Sequence, residues 1–338
     1  MPVGGSASVA PTLTVSPART SGPIDIFFLS DTTKSMEHAI ASVKAGAAGI
    51  LGSTTGFGDI RWGVGEYRDV DKSNPSAWVY RTNQALTSNM ASVQAGINQW
   101  SPSDGKDLPE ANLFALQQVA TAAEIGWRAG STRILAWFGD APGHDTNKDQ
   151  PQLHAAIDAL GAAHIKVEAI DVGVAGTTQS LNYSPAPGIT GQATEIVTAT
   201  GGSLFSGVTS ASIVDEIQRA IGVAINTYHT VCLETPEIPA GVQVVASACI
   251  NGAFDRTVER TFNFSLSFTG LSEGSYDFNA YATIDGGRVA SETERLLVGL
   301  TTPTTAVPLP GSAPLMLAAL TVLFATRRLG ARARAASA

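Results

Sequence analysis

The chain is poor in the residues that most metal, redox and phosphate chemistry uses. Its 338 residues include only two cysteines and five histidines. There is no Cys-x-x-Cys, and no two histidines stand at helical spacing. These absences exclude zinc fingers, cysteine-ligated iron–sulfur clusters and His-Glu-x-x-His zinc catalysis. No glycine-rich segment ends in Gly-Lys-Ser/Thr, and Gly56–Gly58 is too short for a dinucleotide fingerprint. There is no Gly-x-Ser-x-Gly elbow. Charged residues make up only 15%, and their distribution is lopsided. Four arginines and no acid lie in residues 307–338, so the first 306 residues carry 29 acidic side chains against 17 basic ones. An acidic body without a basic stripe excludes nucleic acid as the main partner and suits a cation-binding, solvent-exposed protein.

What is present is apolar: 44% of residues are hydrophobic, enough for a sizeable core. At about 150 residues per domain the length predicts two domains. The expected division is a disordered segment 1–21, an α/β domain 22–228, a small β-sandwich 229–300, a Thr/Pro linker 301–314, and a transmembrane helix with a basic tail at 315–338.

The tail reads as three parts. Thr301–Pro314 is Thr/Pro-rich. An apolar run from Leu315 to Ala325 follows, and then Arg327, Arg328, Arg332 and Arg334, which the positive-inside rule keeps cytoplasmic. With Val307-Pro308-Leu309-Pro310 ahead of it, this order resembles the PEP-CTERM sorting signal of Gram-negative bacteria in its VPLP variant. The resemblance implies an exosortase as partner, transient anchoring in the inner membrane, and delivery to the cell surface or extracellular matrix. The first 20 residues show neither a basic n-region nor an apolar h-region.

In the α/β region, strands are expected at 24–29, 60–67, 133–138, 165–172 and 204–205. Helices are expected at 36–51, 90–100, 109–125, 151–163, 190–200 and 210–227. This alternation predicts a doubly wound, mostly parallel sheet covered on both faces, with ligands beyond the carboxyl ends of the strands. Polar residues gather at those ends. The first strand runs into Asp31-Thr32-Thr33-Lys34-Ser35, the strand 133–138 ends in Gly139-Asp140-Ala141-Pro142-Gly143-His144, and between them Asp107-Leu108-Pro109-Glu110 stands at a helix start. Carboxylates converging from three loops repel one another unless a cation sits among them, and hard oxygen ligands suit Mg²⁺, Ca²⁺ or Mn²⁺.

These loops resemble the metal-ion-dependent adhesion site of von Willebrand factor A domains. Asp31, Thr33 and Ser35 match the first loop, and Asp140 matches the third. Glu110 within Asp-x-Pro-Glu, together with Asp-Ala-x-x-His in the third loop, looks like the integrin β-subunit branch. The resemblance implies that Thr33, Ser35 and Glu110 bind a divalent cation directly and that Asp31 and Asp140 act through water. One coordination position is left for a partner's carboxylate. The branch's regulatory ion uses two acids where this chain has His38 and Ala39. A second neighbouring ion would use Asp69 and Asp107.

After Tyr228 the hydrophobic period becomes two. Phe262, Phe264, Leu266 and Phe268 alternate with polar residues, as do Tyr276, Phe278, Ala280 and Ala282. Asp285-Gly286-Gly287 reads as a hairpin turn. Residues 271–276 resemble the tyrosine corner of immunoglobulin-like domains, which makes Tyr276 structural. Cys232 and Cys249 fall in this region. In an exported setting a disulfide between them is expected, with two buried thiols as the alternative.

Three functions follow. The first is a non-enzymatic surface or matrix protein whose cation captures an acidic protein or polysaccharide. The second is a matrix component in which the metal only stabilises the fold. The third is a metal-dependent hydrolase, for which His144 is the nearest base.

Overall fold

The computed structural model describes residues 1–17, 22–69, 78–103, 108–145, 151–174, 176–184 and 190–299. The motif Val307–Pro310, the expected helix 315–338 and Asp107 lie outside the described residues. Among the described residues no helix is long and apolar enough to cross a membrane.

The chain begins with two short strands, β1 (Ser6–Val9) and β2 (Thr12–Val15). This corrects the expectation of a disordered segment 1–21. Leu13 and Val15 alternate inward in β2 and are buried, and strands from the far end of the sequence offer both segments an edge to pair with.

The α/β layer comes next. It comprises β3 (Ile24–Asp31), α1 (Glu37–Thr54), β4 (Ile60–Tyr67), β5 (Tyr80–Thr87), α2 (Met90–Asn98), α3 (Asn112–Thr121), β6 (Thr132–Gly139), α4 (Pro151–Ala162), β7 (Ile165–Asp171), α5 (Gln192–Thr200), β8 (Leu204–Phe205) and α6 (Ile213–Asn226). The sheet order is β5-β4-β3-β6-β7-β8, parallel except for β5, which runs antiparallel beside β4. All eight residues of β3 are buried, Asp25, Ser30 and Asp31 included, as befits a mostly apolar strand covered on both faces. Ile24, Ile26 and Phe28 pack under α1, α2 and α6, while Phe27 and Leu29 pack under α3, α4 and α5.

The helix expected at 109–125 is shorter. Glu110 is drawn into a bridge with Gly143, and its N–H donates to the Pro142 carbonyl, so α3 starts only at Asn112. At the other end Ala122 is extended and Ala123–Ile125 is a single 3-10 turn. Strand β5 was not expected; its sequence YRTNQALT has no apolar run, and every residue of it is half-buried at the sheet edge.

The chain then returns to the first two strands. It adds β9 (Thr227–Glu234), β10 (Val242–Ala246), β11 (Ile250–Asp255), β12 (Arg260–Asn263), β13 (Leu266–Gly270), β14 (Gly274–Ile284) and β15 (Gly287–Val298). One sheet has the order β11-β9-β14-β15; against it lie β1-β13-β10 and β12-β2, around one apolar cluster that includes Leu13, Tyr228, Phe262, Leu266 and Phe278. The α/β layer is therefore inserted between β2 and β9 of a β-sandwich. Cys232 and Cys249 form a disulfide within it. The Tyr276 hydroxyl lies 3.2 Å from the Ser272 carbonyl oxygen, to which it donates. Asp285 and Gly286 both have positive φ, +46° and +78°, and close β14 onto β15 through the tight turn that such angles permit.

Candidate metal centre

Strand order reverses at β3, which has β4 on one side and β6 on the other. Loops leaving the carboxyl ends of β3 and β6 consequently part to opposite faces and open a crevice between them. Asp31 ends β3, and Asp140 follows β6 directly.

The first loop is folded by its own side chains. Asp31 Oδ1 accepts from the Thr33 amide at 2.7 Å and from the Thr33 hydroxyl at 2.8 Å. The Thr33 and Ser35 hydroxyl oxygens stand 3.2 Å apart. Backbone hydrogen bonds tie the neighbouring loops to this one and to each other. Ser103 N–H donates to the Thr32 carbonyl, and Glu110 N–H donates to the Pro142 carbonyl at 2.8 Å. The Asn112 amide donates to the Ala141 carbonyl, and Gln192 Oε1 accepts from Gly143 N–H at 2.7 Å. These bonds hold Asp31, Thr33, Ser35, Glu110 and Asp140 at one edge of the sheet.

The electrostatics are strained. Asp31 is fully buried, and among the described residues its Oδ2 has no hydrogen-bond partner. Burial, and then the charge of Asp140, push its carboxyl up to about 7 against the Thr33 hydrogen bonds and Arg68, which pull it down. Burial also raises Asp140, opposed by a hydrogen bond from Ser35. Tyr67, at the end of β4, is raised well above the usual phenol range by burial and then by Asp31, with Glu110 and Asp140 adding to it. Glu110 is itself almost fully buried.

Such a pocket of negative potential fits a hard divalent cation: the donors are carboxylates and hydroxyls, and a bare carboxylate oxygen is buried among them. No group of three or more His, Cys, Asp or Glu side chains among the described residues is placed to hold a metal by itself. The set depends on the hydroxyls of Thr33 and Ser35 as much as on acids.

Asp69 stands apart from this group. Its Oδ1 is in close contact with His144 Nε2, so a protein side chain already faces the carboxylate expected to serve a second ion. Sequence reasoning passed over Tyr67, Arg68 and Gly139. Arg68 Nε donates to Thr32 Oγ1 at 3.2 Å, and its guanidinium packs on the Trp78 ring. A Cβ on Gly139 would lie 2.6 Å from the Tyr67 hydroxyl and 3.1 Å from Asp31 Cβ. The position of Tyr67 at a strand's carboxyl end was the one available signal; Arg68 and Gly139 carried none in their spacing.

Residues 66–157, which include the Glu110 and Asp140 loops, match the family profile described as "Integrin beta chain VWA domain". With the sheet order above, this decides the fold. The α/β layer has a von Willebrand factor A-like fold. Three solved structures resemble the chain at low identity. A von Willebrand factor type A protein from Catenulispora acidiphila is 11% identical with a TM-score of 0.49, covering 88% of this chain and 71% of that one. The pilus adhesin SpaC from Lactobacillus rhamnosus GG is 12% identical with a TM-score of 0.42, covering 87% and 45%. Proximal thread matrix protein 1 from the mussel byssus is 16% identical with a TM-score of 0.43, covering 64% and 50%. No curated protein matches the chain in sequence. The A-type domain here carries its candidate site at the pole opposite the sandwich, because β15 and its turn meet the start of β6 at Thr132, not its end.

Proposed function

We propose that this is an exported, non-enzymatic binding protein that captures an acidic group of a partner through a divalent cation, Mg²⁺ or in its place Ca²⁺ or Mn²⁺. Thr33, Ser35 and Glu110 would hold the ion directly, and Asp31 and Asp140 would hold it through water. When bound, the cation supplies a Lewis-acidic position for an oxygen ligand. The chain's own residues do the rest. Asp31 orients Thr33 through two hydrogen bonds, and the Glu110–Pro142 bond fixes the second loop against the third. Two hydroxyls and one direct carboxylate leave the ion under-neutralised, so it attracts a further carboxylate from a protein or polysaccharide.

The observation that carries this reading is Asp31 Oδ2, a buried carboxylate oxygen without a hydrogen bond among the described residues, beside the second carboxylate of Asp140. The Cys232–Cys249 disulfide supports an oxidising, extracytoplasmic location. The VPLP motif and the apolar–basic tail extend the proposal to exosortase processing and surface or matrix delivery.

Calorimetric titration of the full-length protein with Mg²⁺, Ca²⁺ and Mn²⁺ tests it, beside Asp31→Ala and Glu110→Ala. Saturable binding lost in both variants, with circular dichroism unchanged, supports the site. No binding by the wild type rejects it. Binding that raises thermal stability but recruits no acidic ligand favours the purely structural role.

A further inference from the structure

Strand β15 ends the sheet β11-β9-β14-β15, and its outer edge is open between two pinned ends. At its start the Arg288 amide donates to the Gly130 carbonyl at 2.8 Å. At its finish Met1 bonds as an added strand would: its amine donates to the Leu297 carbonyl and its carbonyl accepts from the Gly299 amide, each at 2.8 Å. Backbone groups two residues apart point the same way in a strand, so Ser291, Thr293 and Arg295 present their N–H and C=O groups outward, as Leu297 does. No strand pairs with them there among the described residues. The two faces of β15 differ in charge. On the exposed face Arg295 is held by both carboxylate oxygens of Asp277. On the face turned into the sandwich, Glu292 and Glu294 stand opposite Ala280 and Phe278 and are half-buried. Neither has an ion pair or hydrogen bond among the described residues. Burial, and then the charge of Glu292, raise the Glu294 carboxyl above its ordinary range. The two acids border a shallow recess whose lining includes Leu266, Ala280 and Ala282. Among the described residues no third His, Cys, Asp or Glu joins them to hold a metal.

We propose that the open edge of β15 takes an extended segment of a partner protein as a further strand, with Lys or Arg at two alternate positions facing Glu292 and Glu294. This surface lies on the sandwich and does not depend on the cation reading above. Main-chain hydrogen bonds to Ser291, Thr293 and Arg295 supply the attachment, and the two carboxylates supply the selection. Side chains alternate between faces, so residues two apart in the added strand meet both carboxylates at once. Inward-pointing charges ordinarily guard an edge against pairing. Here the guard is selective. An apolar or acidic strand would bury both carboxylates unpaired, whereas a long basic side chain lays its alkyl stem over the apolar recess and brings its cation to the acid. The same charges disfavour a second copy of β15, because antiparallel pairing about Thr293 sets Glu292 of one chain against Glu294 of the other. Two opposite-charge pairs across adjacent strands correspond to about tenfold in affinity.

The test uses the full-length protein and two fluorescein-labelled pentapeptides of one composition, Thr-Lys-Thr-Lys-Thr-amide and Thr-Lys-Lys-Thr-Thr-amide, with binding read by fluorescence anisotropy. Two variants separate backbone from charge. Thr293→Pro removes an outward N–H and leaves the ladder to β14 its hydrogen bonds. Glu292→Gln combined with Glu294→Gln removes both charges and keeps the shape. The alternating peptide is expected to bind the wild type about tenfold more tightly than its isomer. That preference should vanish in the double Gln variant, and binding should be lost in Thr293→Pro, with circular dichroism unchanged in both. Equal binding of the two peptides overturns the proposal, as does binding that survives Thr293→Pro, or no binding of either peptide. A wild-type dimer that Thr293→Pro dissociates in sedimentation makes a second copy the occupant and overturns it too. So does peptide binding that appears only after Arg332→Ala and Arg334→Ala, which makes the chain's own basic tail the occupant.

Discussion

Lys166 Nζ lies 2.8 Å from Asp285 Oδ2, joining β7 of the A-type domain to the hairpin turn of the sandwich. Both are largely buried, with side-chain exposures of 4% and 14%. Lys166 also donates to the carbonyls of Ala224 and Thr227, and Asp285 Oδ1 accepts from the amides of His229 and Thr230. The pair thus clamps the hairpin, the end of α6 and the start of β9 together.

Asp285→Asn keeps a residue tolerant of positive φ but leaves the Lys166 ammonium without its counter-charge. Breaking one side of a buried pair costs about 3–5 kcal/mol, and the two remaining carbonyl acceptors place this loss near the lower end. Urea unfolding of the variant measures it. Burial alone would raise the Asp285 carboxyl, but Lys166 and the two amides outweigh it and hold it below the ordinary range. Its stabilisation is therefore complete above the unfolded value near 3.8 and is lost as pH falls through the lower folded value. The stability difference between the variant and wild type should shrink as pH falls below about 3.8.

Glu168, two residues further along β7, has the opposite sign. Burial raises its carboxyl from 4.5 to about 8, against Lys166 and the Ser203 hydrogen bonds, and among the described residues its Oε1 has no hydrogen-bond partner. The folded state holds the proton that the unfolded chain releases, so stability falls as pH rises from about 4.5 to about 8 and then levels. The slope is at most about 1.4 kcal/mol per pH unit. Glu168→Gln should match the wild type near pH 4 and melt higher at pH 8. Paired thermal scans at the two pH values check this, and an equal difference at both would contradict it.

Gly139→Ala tests the close approach at the site's floor. Its Cβ would collide with the Tyr67 hydroxyl and press on Asp31. Overpacking of this kind costs about 1–3 kcal/mol, and the displaced first loop should weaken Mg²⁺ binding more than tenfold. Chemical denaturation and calorimetry measure the two effects separately.

The disulfide closes a loop with a sequence separation of 17, for which the chain-entropy estimate is about 3 kcal/mol. Replacing both Cys232 and Cys249 with serine should lower stability by about that amount and leave cation affinity unchanged. A measured loss of both would show that the sandwich and the metal face are coupled.

How much of this was legible in the sequence depended on local signal. Strands β3 and β6 announce themselves by their clustered apolar residues and β7 by apolar residues interleaved with Lys166 and Glu168, and each loop that reaches the site follows one of these strands or opens a helix. Tyr276 and the Asp285-Gly286 turn were readable because both are local devices. Strand β5 was not, since an edge strand half in water needs no apolar pattern. Strands β1 and β2 were not, because their partners β13 and β12 stand about 250 residues away, at Thr269 opposite Ser6 and Phe262 opposite Leu13. The Asp69–His144 contact was equally silent: only the folded chain brings the end of β4 against the loop after β6.

The insertion of the A-type domain into the sandwich has a mechanical consequence. Strand β15 starts at the base of that domain and runs away from it to Val298, paired with β14 along nearly its whole length. If the proposed function holds, a tension between a partner at the far pole and an attachment beyond Val298 would act along the strand axis. Antiparallel hydrogen bonds lie across that axis, so they are loaded together in shear and not opened one after another like a zipper. The same pull is shared by two covalent crossings, after β2 and before β9, where a domain strung on the end of a chain would have one.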